Sequence, residues 1–375
     1  MFSTYLKITL IGQFLKLLTR ITINIFICIM NCAFNPYFCE LKFHVKIMKI
    51  FRYIALSSIL VTGLAACKKE PDNPWKIEVK DTAEKVNITD ISKDFYNPSL
   101  PLDQFKAKFP WFQGTVSDED FGKRRTDAEE IKIYKEAIGK INQATLQKEL
   151  QNLFSHLKHY FPQFKTPTVY LFSSALQMIQ DPIFYDQKGN LLFIDVTGFM
   201  GDGNPNYKGL ELYFQKSMNP QNIVPKVSQL FAEGIVTESP DHQKFIDQII
   251  LNGKVMILQD AFLPDYPDYL KINYTQKQYD WAKANEANIW NYFVESNLIF
   301  GDDPRLGERF ISPGPFSKFY TEIDNESSPQ IGIFTGWQIC KSYLKEKPET
   351  KLTEFLKMDA TAIFNQSGYK PRTEK

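Results

Sequence analysis

Cys67 is the residue with the clearest chemistry in this chain. Leu64, Ala65 and Ala66 precede it. Small residues at the end of an apolar run let a membrane protease accept the backbone in a tight cleft. The thiolate that follows can take a diacylglycerol group. Cleavage is therefore expected between Ala66 and Cys67, with lipid of the palmitate type carried on Cys67. Each buried methylene contributes about 0.8 kcal/mol, so two or three acyl chains hold firmly.

Other groupings are weaker. His156 and His159 stand three residues apart, a spacing that can put two imidazoles on one helix face for a metal. No third ligand is evident, so they read as surface histidines and no metal or other cofactor is expected. Asp202, Asn204 and Asn206 alternate like the start of a calcium loop. The glycine and the late glutamate such a loop needs are missing, which leaves a plain turn. His242 lies beside Asp241, but no Gly-flanked Ser sits on a strand-to-helix turn to complete a nucleophile.

The elements that must position these residues follow an export segment. Lys49 and Arg52 precede an apolar stretch from Tyr53 to Leu64 that is too short to span a bilayer comfortably. Residues 48–66 therefore read as a lipoprotein signal peptide starting at Met48, and residues 1–47 as an upstream extension called in error, the alternative being an extra membrane anchor. Residues 67–89 are polar, with Pro71 and Pro74, and read as a tether. Residues 90–375 read as one domain.

Within that domain, Gln143–Tyr160 carries Leu146, Leu150, Leu153, Phe154 and Leu157 at helical spacing. Thr168–Phe172, Ile183–Tyr185 and Leu191–Val196 read as strands. Ile223–Val236, Phe245–Leu258, Gln276–Asn297 and Ile331–Leu344 read as helices, the last opened by Ser328 and Pro329. Gly332, Gly336 and Cys340 give that helix a small-residue face for close packing, with Trp337 and Tyr343 turned elsewhere into the core. The order predicts a helix-dominant α+β fold, a small sheet followed by packed helices.

Composition narrows the function. The 375 residues hold 44 basic and 43 acidic side chains, a formal net charge of +1. Without a basic patch or stripe, nucleic acid is not an expected partner. Three of the five cysteines lie before residue 40, so Cys340 has no partner once Cys67 is acylated.

Several ordered blocks resemble the gliding motility lipoprotein GldB family of the Bacteroidetes. They are Gly253 to Pro264, Trp281 to Trp290, Gly314 to Ser327, and Ile331 to Cys340 with Gly336, Trp337 and Gln338 at its centre. With the lipobox, the resemblance covers about the whole mature chain. It implies a cell-envelope protein of the gliding and associated export machinery, held by its lipid in the outer membrane and facing the periplasm. Its implied partners are that membrane and other gliding or secretion proteins.

The family is in turn similar to zincin-type metallopeptidases, in which a His-Glu-x-x-His helix binds zinc. That resemblance implies a degenerate zincin-like domain, a pseudo-peptidase. It puts Pro225 and Gln229 at the two histidine positions, Lys226 at the glutamate and Asn252 near the third ligand. None can replace the original group, so the expected activity is non-catalytic binding. The alternative is a cell-envelope hydrolase or metallopeptidase with a rearranged site around His156 or His242.

Overall fold

The computed structural model describes residues 74–77, 79, 83–237 and 244–372. Cys67, Ala66 and His242 lie outside the described residues. Four strands form one sheet: β1 (Ile88–Asp90), β2 (Thr168–Phe172), β3 (Ile183–Asp186) and β4 (Leu191–Asp195). Their spatial order is β1-β2-β4-β3. β1, β2 and β4 run parallel, and β3 closes one edge antiparallel to β4.

The helices longer than one turn begin with the first four of the five that lie between β1 and β2. These are α1 (Ile91–Phe95), α2 (Leu102–Lys108), α3 (Asp118–Thr126) and α4 (Ala128–Gly139). Then come α5 (Gln143–Tyr160), α6 (Ile223–Ile235), α7 (Phe245–Phe262), α8 (Gln276–Ala284) and α9 (Glu286–Glu295). The last are α10 (Arg305–Phe310), α11 (Ile331–Glu346) and α12 (Ala360–Gln366). This is the helix-dominant α+β fold expected from the sequence. No helix among the described residues is long and apolar enough to cross a membrane.

Strand alternation sorts the sheet's two faces. Val169, Leu171, Leu192 and Ile194 are fully buried. On their side Tyr185 meets Phe231 of α6, and Phe231 meets Phe154 of α5. The opposite face carries Tyr170, Phe172, Phe184 and Phe193. Tyr170 stacks on Phe193, and Phe193 on Phe184. Trp111, from the segment between α2 and α3, packs edge-on against both Tyr170 and Phe193.

Four expectations are corrected. The tether does not extend to residue 89. Val86 is fully buried, its N–H donates to Gln151 of α5 (2.8 Å), and its carbonyl accepts from Gln147 (2.9 Å). Two side chains of α5 thus fasten this segment, and β1 follows at Ile88. Gln276–Asn297 is two helices, broken at Asn285, whose amide turns back to the carbonyl of Trp281 (3.0 Å). α7 runs four residues beyond Leu258, because Gln259 and Asp260 are buried and bonded rather than solvent-facing. Ser328 does not cap α11. Its hydroxyl donates to Gln278 (2.6 Å), and the first N–H of the helix goes to Ser317 (3.1 Å).

The close-packing face of α11 lies where the sequence put it. A Cβ on Gly253 of α7 would stand 2.4 Å from the carbonyl oxygen of Gly336. Cys340 is buried against the Ile250 carbonyl (3.9 Å), and burial pushes its thiol well above the ordinary range. Trp337 and Tyr343 are core residues.

Candidate functional site

α6 carries three of the four positions that the resemblance marks as degenerate zinc-site residues. Ile223, Val224, Val227, Phe231 and Ala232 give it a buried apolar stripe. Pro225 sits in the first turn, where its missing N–H breaks no helical bond; it is buried and offers no ligand atom. The amide of Gln229 is engaged on both sides. It donates to Glu233 (2.7 Å) and accepts from Asn273 (2.8 Å). Asn252, on α7, donates to the carbonyl of Gln248 one turn earlier (2.9 Å).

Lys226 retains some accessible stem, but its ammonium is enclosed. Burial pulls its pKa down to about 8, against the opposing pull of Asp181. The chemistry available at these four positions is thus an amine, two engaged amides and a pyrrolidine. No carboxylate among them can activate water.

Lys226 gives a pH prediction. A lysine held below its unfolded pKa destabilises the fold wherever it must be protonated. Wild-type stability should rise with pH from about 8 toward the ordinary lysine range. Lys226→Met should be more stable than wild type at neutral pH, by at most about 3 kcal/mol. The gain should vanish at alkaline pH. Urea melts of both proteins across pH decide it; a neutral-pH difference of zero or below sinks the assignment.

His156 and His159 are not brought into a group of metal ligands among the described residues. His156 Nδ1 bonds the Asn152 carbonyl of its own helix (2.9 Å), and His159 is exposed and edge-on to Tyr160. Among the described residues no three His, Cys, Asp or Glu side chains are grouped to hold a metal ion. Asp202 pairs with Lys216 (2.8 Å). Asn204 and Asn206 donate their amides to the two oxygens of Glu136 (2.6 and 3.1 Å). The alternation that resembles a calcium loop ties this turn to α4.

A buried cluster at the carboxyl ends of β2 and β4 escaped sequence reasoning. Asp195 is fully buried, and burial raises its pKa against the hydrogen bonds it accepts. Those come from the N–H of Ser174 (3.1 Å), the N–H of Thr197 (3.0 Å), the Thr197 hydroxyl (2.7 Å) and the Ser174 hydroxyl. Ser174 Oγ also accepts from the N–H of Met178 (3.0 Å). Ala175 and Leu176 follow at φ of 52° and 73°, a left-handed conformation that is strained for both. With its hydroxyl committed to Asp195 and no histidine in these contacts, Ser174 is an anchor for the loop entering β3. The only sequence signal is polar residues directly after two apolar strands.

The family comparison agrees with the resemblance read from the sequence. A family model described as gliding motility protein GldB matches residues 72–371. No curated protein matches the chain. No solved structure matches it either. The match spans 300 of the 375 residues, and the chain belongs to the GldB gliding motility family.

Proposed function

We propose that this protein is a lipid-tethered component of the gliding apparatus and its associated export machinery, acting by binding rather than catalysis. The observation that carries the reading is the chemistry of α6. If the zincin resemblance holds, Pro225, Lys226 and Gln229 take the places where a catalytic zinc site needs two imidazoles and a carboxylate. Lys226 would repel the ion, and the Gln229 amide is held by Asn273 and Glu233. The scaffold keeps its core without a metal, since a chain this long buries enough apolar surface alone. A lipid on Cys67 would hold the domain at the outer membrane, on its periplasmic side.

Two measurements test this. The purified full chain should hold no stoichiometric zinc after dialysis, show no peptidase activity, and melt at the same temperature with and without chelator. About one zinc per chain, or a melt lowered by chelator, would restore the hydrolase reading. Cys67→Ala should abolish lipid incorporation and leave an unprocessed precursor. Mass spectrometry of the mature amino terminus checks this, and an unacylated terminus at another residue refutes it.

A further inference from the structure

β3 leaves one side of the sheet unpaired. The Pro182 carbonyl accepts from the N–H of Asp195 (2.7 Å), and the register sets Phe184 opposite Phe193. Hydrogen-bonded pairs alternate along an antiparallel ladder, so the backbone groups of Phe184 face β4 and those of Ile183 and Tyr185 face outward. No backbone hydrogen bond among the described residues reaches those outward groups. Such an edge is a template for another strand.

Beside the edge, over the aromatic face, opens a cavity of about 450 Å³. Trp111, Phe172, Met178, Phe184 and Phe193 wall it, and Asp186 brings a carboxylate to it. Phe184 and Trp111 are 38% and 39% exposed, large values for aromatic rings that have neighbours to pack on. Asp186 accepts from the N–H groups of Lys188 (3.1 Å) and Gly189 (3.0 Å), which fix its carboxylate in the β3–β4 turn. No ion pair engages it among the described residues. Phe184 and Asp186 are the two β3 residues on this face, so a strand added beside β3 would place its same-face side chains against them.

We propose that β3 and this cavity form a receptor for an extended, basic segment of another protein. The segment adds to the sheet edge and sends an arginine into the cavity, its guanidinium over the rings and against Asp186. This rests on reading the domain as a binding module, and it names the chemistry of the partner. Charge selects the occupant. Rings attract a cation through their faces, and a purely apolar side chain would strip water from Asp186 without replacing it. A second copy is disfavoured. Antiparallel self-pairing about Phe184 would set Pro182 of one chain opposite Asp186 of the other, which brings no cation to the carboxylate.

The probe is a fluorescein-labelled peptide of alternating Val and Arg, titrated by anisotropy against the full chain in detergent at physiological salt. It should bind, while a Val and Glu peptide should not. Asp186→Asn and Phe184→Ala should each weaken binding about fivefold or more. Asp186→Asn keeps the turn's acceptor, so it controls for any folding defect in Phe184→Ala. N-methylation of the peptide at alternate residues, in both registers, should abolish binding in the register that blocks the bonds to β3. Binding that survives both methylations, or is unchanged in both variants, overturns the proposal. So does a dimer in sedimentation that Tyr185→Pro dissociates. Mass spectrometry of the recovered probe separates the two readings. An intact probe with site-dependent binding supports both, and a probe cleaved in a site-dependent way supports the receptor but overturns the non-catalytic function.

Discussion

Replacing Gly336 by Ala is expected to cost the domain about 4 kcal/mol or more, enough to leave much of it unfolded. Taken alone, the change favours α11, since Ala exceeds Gly in helix propensity by about 1 kcal/mol. Packing reverses the sign. A Cβ at Gly336 would stand 1.7 Å from the carbonyl oxygen of Ile249 and 2.4 Å from its carbon. The obstacle is the backbone of α7, which no rotamer change can move. Relief requires the two helices to separate along Gly253, Gly336 and Cys340, which would loosen Trp337 and Phe334 as well. Gly122, within α3, is the matched control, because a Cβ there meets nothing within 4 Å. Gly122→Ala should therefore stabilise by up to about 1 kcal/mol. Equal effects of the two substitutions in a denaturant titration would show that the α7–α11 approach is not limiting.

That helix pair shows which parts of the fold a sequence makes legible. Gly332, Gly336 and Cys340 recur every fourth residue, and a period matching the helical turn can be read without coordinates. The stripe on α5 and the apolar runs of β2 and β4 are legible for the same reason. What stayed hidden depends on contacts between distant segments. Gln259 and Asp260 look like a polar helix end until Lys271 and Trp337 reach them. The segment around Val86 looks like tether until two glutamines of α5 bind it. The aromatic cavity joins Trp111 to Phe184 across intervening helices and strands, and neither residue signals it alone.

Asp260→Ala is expected to destabilise the domain by about 3–5 kcal/mol, since it leaves a buried cation with only one of its two carboxylates. Lys271 is 1% exposed at its side chain and reaches Asp260 at 2.7 Å and Asp268 at 3.0 Å. The other oxygen of Asp260 accepts from the indole N–H of Trp337 (2.8 Å). Lys341 lies over the Trp337 ring, 3.7 Å from its centre, and pairs with Asp268 at 3.3 Å. Burial alone would lower the Lys271 pKa, but Asp260 and Asp268 outweigh it and hold the ammonium above the ordinary lysine range. For Asp268 burial works in the opposite sense, and Lys341 and Lys271 hold its carboxyl below the usual range. A raised lysine stabilises below its unfolded pKa, and that gain is lost as pH rises through the folded value. A depressed carboxylate stabilises above its unfolded pKa, and that gain is lost as pH falls through the folded value. The network is therefore complete throughout the neutral range and fails at both extremes. Asp260→Ala also leaves the Trp337 N–H without its acceptor, which adds a desolvation loss. The double variant Asp260→Leu with Lys271→Met should recover much of the stability, because apolar side chains of similar volume carry no charge to strand. Chemical denaturation of both single variants and the double variant gives the coupling directly. Additive losses, or single-variant losses below about 1 kcal/mol, would show that solvent reaches this pair and that the helix contacts alone hold α7 in place.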